Sequence, residues 1–155
     1  MIESGAHYRD LCRAAGVAFF VNDDVDAALA LEADGVHLGR DDRGAQRALD
    51  RGLALGVSAS TPEEIAAAAE HGASYVGAGP VWSTPTKPDA GPPLGLDGLA
   101  AVCRAASVPV IAIGGIDEHN AADCVAAGAA GVAVVRAAAR ARAVREAIDA
   151  AVRGR

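Results

Sequence analysis

The sequence predicts an α/β protein built as a parallel β/α barrel, here a partial barrel of about six βα units in one domain over residues 1–155. Short β-branched runs alternate with helical patterns along the chain, and that alternation implies right-handed crossovers and a parallel sheet. Hydrophobic residues make up 52% of the sequence but aromatics only 3%, a balance that suits buried strands under Ala-rich helices better than an antiparallel sandwich. No GxGxxG follows the first strand, which turns the reading away from a Rossmann sheet.

A helix is expected over 7–15, then a strand over 17–21 and a helix over 25–31. A helix over 44–51 separates strands at 35–38 and 53–57. The helix expected over 62–70 has the clearest start signal. Thr61 can accept from the orphan amides, Pro62 suits the first helical position, and Glu64 completes a capping box. A strand over 75–78 leads through a long loop to a helix over 96–106 and a strand over 110–113. A helix over 118–127, a strand over 131–135 and a closing helix over 141–152 complete the order. Small-residue turns precede several strands, as in Ala33-Asp34-Gly35-Val36, and Gly72 and Gly128 are natural helix terminators. A closed barrel needs eight strands and typically about 250 residues, so a chain of 155 residues accommodates only part of one.

The formal charge of −6 excludes the basic footprint of a nucleic-acid-binding surface. Anionic ligands must therefore be held locally, by backbone amides, a metal or single cations. Cys12, Cys103 and Cys124 are odd in number and match no metal spacing, so they read as reduced thiols. No apolar run approaches the roughly 18 residues of a membrane span, and the N-terminus carries no signal-peptide pattern. A soluble cytoplasmic protein is expected.

Ligands of such barrels bind where the strands end. The first strand ends in Asn22-Asp23-Asp24 and the second in Gly39-Arg40-Asp41-Asp42. Asp23 and Asp42 could converge on Mg²⁺, which takes one or two carboxylates plus substrate phosphates; equally, Asp24 and Asp41 or Asp42 could cap the helices that follow. Ser58 ends the third strand. Gly114-Gly115 ends the fifth, where bare backbone could admit a phosphate or make a tight turn. Between them lies Gly79-Pro80-Val81-Trp82-Ser83-Thr84-Pro85-Thr86-Lys87, stiffened by prolines and offering two threonine hydroxyls and one ammonium group. It reads as an anion-binding loop. Trp82 either covers a ring substrate or plugs the loop base. His37 lies within a strand and reads as a hydrogen-bonded core histidine, with a role in the barrel interior as the alternative.

Phe20-Val21-Asn22-Asp23, Asp34-Gly35-Val36-His37-Leu38-Gly39, Gly56-Val57-Ser58, the Gly79-to-Lys87 loop and Ile113-Gly114-Gly115-Ile116 resemble the thiamine-phosphate synthases in order and spacing, from about Cys12 onward. The resemblance implies a TIM-type (β/α)8 barrel and a transferase of thiamine biosynthesis. Such an enzyme joins a pyrimidine methyl diphosphate to a thiazole phosphate, releasing pyrophosphate with Mg²⁺. It implies that Asn22 contacts the pyrimidine substrate, that Asp23 and Asp42 bind Mg²⁺, and that Ser58 lies by the pyrimidine and diphosphate. Thr84, Pro85 and Thr86 would hold the thiazole phosphate, with Gly114, Val135 and Arg136 completing its pocket. Lys87 would bind the leaving diphosphate, and Ser58 and Lys87 are the implied catalytic residues.

Arg136 stands where many members have a small hydroxyl residue. Members also begin with two further βα units carrying a Gln, Arg and Lys cluster for the diphosphate. On that comparison this chain starts inside the second helix, leaves apolar edges at 17–21 and 132–135, and is expected to self-associate and, by itself, to have little synthase activity. Two other readings suit the same barrel: a thiazole tautomerase-like isomerase, and a non-catalytic thiazole-phosphate-binding remnant.

Overall fold

A computed structural model describes residues 2–39, 43–87 and 90–154. Among these residues seven α-helices and six strands alternate: α1 (Ile2–Ala15), β1 (Phe20–Asn22), α2 (Val25–Ala30), β2 (Gly35–Leu38), α3 (Ala45–Asp50), β3 (Ala54–Ser58), α4 (Pro62–Glu70), β4 (Tyr75–Ala78), α5 (Gly95–Ala105), β5 (Val110–Ile113), α6 (Ala121–Ala126), β6 (Gly131–Ala133) and α7 (Ala141–Arg153). A 3₁₀ turn over Ala138–Arg140 precedes α7. The strands are all parallel and pair strictly in sequence order, β1 to β6. This is the expected partial barrel.

Strand alternation divides the side chains cleanly. Val36, Leu38, Leu55, Val76, Ala78, Val110 and Ala112 are buried, and they pack with Ala28, Ala48, Ile65, Leu99, Val102 and Cys124 from the helices. Two clusters result, one around β2 and β3 and one from β4 onward, and Val57 packs against both. The intervening positions, among them Phe20, Asn22, His37, Ser58, Tyr75 and Ile113, share the opposite, concave face. Ile113 is 37% exposed there, so the core lies between sheet and helices rather than within the curve of the sheet.

The first strand starts later than its β-branched residues suggest. Gly16 takes φ +65, its N–H donates to the Arg13 carbonyl, and the Val17 N–H donates to the Cys12 carbonyl. That paired geometry is a Schellman cap, and it assigns Val17 to the end of α1 instead of to β1. The same bond pair closes α2, α3, α4 and α6. At α2 the residue in the left-handed position is Glu32, with φ +50, where the other helices have glycine.

Two further boundaries move for local reasons. The Asp117 carboxylate accepts from the His119 N–H, and Asn120 Oδ1 accepts from the Asp117 N–H. These side-chain turns hold 117–120 out of α6. At β6 the Val135 carbonyl accepts from the Ala138 N–H, so Val134 and Val135 lead into the 3₁₀ turn and not along the strand. The start of α4 is as expected: Thr61 Oγ1 accepts from the Glu64 N–H, and Glu64 Oε2 accepts from the Thr61 N–H.

Candidate active site

Because every strand runs the same way, one rim of the sheet gathers all six strand ends. Asn22 ends β1 and Asp23 follows it, Ser58 ends β3, the 79–87 loop follows β4, Gly114 follows β5, and Val135 and Arg136 follow β6. Arg40, Asp41 and Asp42 lie outside the described residues, so the second proposed metal ligand, Asp42, has no position here.

Asp23 and Asp24 divide their roles. Asp24 is the N-cap of α2, its carboxylate accepting from the Ala27 N–H at 2.9 Å. Asp23 takes φ +66 while its N–H donates to the His37 carbonyl at 2.8 Å. A left-handed aspartate at a strand end is the kind of local strain that gathers at functional sites. The N-cap of α3 is Gly44; the capping alternative for Asp41 or Asp42 falls outside the described residues.

The loop after β4 is seated on the end of β5. Its Val81 and Trp82 N–H groups donate to the Ile113 and Gly114 carbonyls at 2.9 and 3.0 Å. A Cβ on Gly114 would stand 2.6 Å from Pro80 Cα, and one on Gly115 would stand 2.7 Å from Trp82 Cβ. Both glycines take positive φ, +97 and +70. Close approach of the loop therefore explains the diglycine without a ligand. Trp82 is half-buried against the core, which makes it a plug at the loop base. The loop closes again where the Leu94 and Gly95 N–H groups donate to the Pro80 and Val81 carbonyls at 2.8 and 3.0 Å. Beyond this neck Pro85, Thr86 and Lys87 are exposed, and Thr84 Oγ1 accepts from the Thr86 N–H at 3.3 Å. Arg136 and Val135 are exposed across the rim.

The concave face contributes one network that the sequence does not announce. His37 Nε2 lies 3.0 Å from Ser58 Oγ, and His37 Nδ1 lies 3.0 Å from Tyr75 Oη. His37 is thus hydrogen-bonded, as expected, but toward the concave face and not within the core. Register explains the meeting: His37 pairs with Gly56, and Gly56 with Tyr75. With no side chain on Gly56, rings from β2 and β4 reach each other over β3. Phe20 adds an edge-on contact to Tyr75 with centroids 5.7 Å apart. Burial raises the Tyr75 phenol above its ordinary range. A usable signal for Tyr75 was its two-residue spacing from Gly77, which puts both on the face of Ser58.

Parallel strands, covering helices and a rim carrying the described candidate groups define the chain as a (β/α)-barrel protein with its candidate site at the C-terminal strand ends. Comparison narrows the class: residues 1–138 match the model of the thiamine monophosphate synthase family, and the chain belongs to that family. The thiamine-phosphate synthase of Chloroflexus aurantiacus is 53% identical over 140 residues, covering 88% of this chain and 64% of its own length. That of Roseiflexus castenholzii is 52% identical and is covered over 61% of its length. The chain therefore spans less than two thirds of these curated relatives. Among solved structures, the thiamine phosphate pyrophosphorylase from Pyrococcus furiosus superposes with a TM-score of 0.86 at 36% identity, over 97% of this chain and 77% of that one. A 3-hexulose-6-phosphate synthase, at 22% identity and a TM-score of 0.68, shares the fold alone.

Proposed function

We propose that the chain carries out the thiamine-phosphate synthase reaction, condensing 4-amino-2-methyl-5-(diphosphooxymethyl)pyrimidine with a thiazole phosphate to give thiamine monophosphate and pyrophosphate. The observation that carries this reading is that Asn22, Asp23, Ser58, the 79–87 loop, Gly114 and Arg136 stand on one rim in a chain of this family.

The chemistry asks little of the protein beyond charge and orientation. The C–O bond to the diphosphate breaks, leaving a ring-stabilised pyrimidine methyl cation, and the thiazole nitrogen lone pair then forms the new C–N bond. Lys87 and the Ser58 hydroxyl would stabilise the charge that builds on the departing diphosphate. Asn22 would orient the pyrimidine. Thr84, Pro85, Thr86, Gly114, Val135 and Arg136 would anchor the thiazole phosphate for in-line attack.

The donor set suits Mg²⁺. Among the described residues no group of three His, Cys, Asp or Glu side chains gathers into an all-protein cage, and Mg²⁺ commonly uses one or two carboxylates with substrate phosphates. Asp23 and Asp42 would be those carboxylates. Bound there, the ion would supply charge neutralisation to the leaving group.

Incubating the chain with both substrates and MgCl₂ should release pyrophosphate and thiamine monophosphate in equal amounts, and omitting either substrate should abolish both. Isomerisation of the thiazole phosphate without pyrophosphate release, or binding without turnover, would overturn the reading.

The strands β1 and β6 are open edges, with Val17 56% and Val135 59% exposed beside them. Copies of the chain would pair there, giving a mass in sedimentation equilibrium that rises with concentration. A cytoplasmic setting accords with three free thiols and with the finding that, among the described residues, no helix is long and apolar enough to cross a membrane.

A further inference from the structure

The His37 network contains a residue for which the proposed reaction has no direct use. A neutral imidazole donates from one nitrogen and accepts at the other, so its two hydroxyl partners must take opposite roles. A phenol is the better donor and the poorer acceptor, while an alkyl hydroxyl oxygen accepts readily. Burial keeps the Tyr75 proton in place. The geometry points to His37 as a positioning residue: Tyr75 Oη donates to Nδ1, Nε2–H donates to Ser58 Oγ, and the Ser58 proton is thereby turned away from the ring to donate to an anionic ligand at the rim.

The surroundings hold this arrangement in place. A Cβ on Gly56 would fall 2.2 Å from Tyr75 Cζ, and one on Gly77 would fall 3.0 Å from His37 Cε1, so bare backbone under both rings fixes where they lie. In the opposite polarity Ser58 would spend its only proton on His37 and present a lone pair to the anion. The inference rests on the reading of Ser58 as a contact of the diphosphate, and the test separates the two.

The full chain labelled with ¹⁵N-histidine reports the tautomer, with His37 assigned by its loss in His37→Gln. The Nε2–H form is expected; the Nδ1–H form overturns the inference. Calorimetric titration with inorganic pyrophosphate and Mg²⁺ gives the second readout. His37→Gln, whose amide nitrogen can reach the Nε2 position, should bind within about threefold of the parent, a small change on the affinity scale. His37→Asn and Ser58→Ala should each weaken binding roughly tenfold or more, the loss expected for one hydrogen bond to a charged group. The double variant His37→Asn/Ser58→Ala should be no weaker than Ser58→Ala alone. Additive losses, or a His37→Gln variant as weak as His37→Asn, would overturn the positioning role. A parent chain that shows the Nε2–H tautomer yet binds no pyrophosphate would instead sink the substrate reading of Ser58.

Discussion

A methyl group built on Gly56 would stand 2.2 Å from Cζ of Tyr75, so the tyrosine ring occupies the volume that any larger residue at 56 would claim. The overlap is with the body of a ring that is also hydrogen-bonded to His37. Gly56→Ala should therefore cost about 1–3 kcal/mol, the usual range for overpacking. Urea unfolding of Gly56→Ala and Gly56→Ala/Tyr75→Ala checks this: the second substitution should recover part of the loss. An unchanged midpoint for the single variant would contradict the ring placement.

Glu32 holds a left-handed conformation, φ +50, at a helix end where four neighbouring helices place glycine. Its ion pair with Arg13, at 3.7 Å between exposed groups, returns little. Glu32→Gly should raise stability by about 0.5–1 kcal/mol, since a left-handed L-residue costs roughly 1–2 kcal/mol and glycine's entropy offsets part of the gain. Thermal unfolding should show a higher midpoint; a lower one would contradict the strain argument.

Acid should act on two carboxylates. Hydrogen bonding from Arg47, then its charge, holds Asp26 below its ordinary 3.8. The Glu118 carboxyl is held below 4.5 first by its own backbone N–H and then by Arg140, whose Nε donates to Oε1 at 2.7 Å. Its Oε2 is buried without a hydrogen-bond partner among the described residues. Each folded-state value lies below the unfolded one. The stabilisation is therefore complete above the unfolded value and disappears as pH falls through the folded one. Unfolding midpoints measured from pH 6 down to pH 3 should fall (a window of about one to two units around the unfolded carboxyl values), and Glu118→Gln and Asp26→Asn should flatten that fall. Equal slopes in parent and variants would remove both groups from the account.

The two aspartates after β1 should separate in their response to metal. Asp23→Asn keeps a residue that tolerates the left-handed region but removes the charge, so the Mg²⁺ needed for half-maximal pyrophosphate release should rise roughly tenfold or more, since charged ligands to a divalent cation contribute strongly. Asp24→Asn should leave the Mg²⁺ requirement alone, because asparagine caps a helix as well as aspartate. The same requirement in both variants would exclude Asp23 as a ligand.

Six strands and the order of units were legible because period-two runs and helix caps are local signals. The Thr61-Pro62-Glu64 start is an example, since its capping hydrogen bonds lie within four residues. What escaped was set by neighbours. Val17 looks like strand sequence, but the Gly16 cap claims it; the Asp117 carboxylate on the His119 N–H and Asn120 Oδ1 on the Asp117 N–H shorten α6. At the site, the strand-end residues were readable because topology alone gathers them. The Tyr75–His37–Ser58 network was not, since it depends on the register of β2, β3 and β4. The diglycine reads as a phosphate site or a tight turn, and the structure adds that Pro80 and Trp82 sit where side chains on Gly114 and Gly115 would project.

The neck of the 79–95 segment has a consequence for how such a protein can change. Both chain strands passing through it are tied, Leu94 to Pro80 and Gly95 to Val81, and Trp82 seals it from the core side. Among the described residues beyond it, Pro85, Thr86 and Lys87 are exposed. Lengthening that tip adds little closure entropy and disturbs no strand. On the proposed reading, selectivity for the second substrate could be rewritten there as a cassette, with the sheet beneath unaware of the exchange.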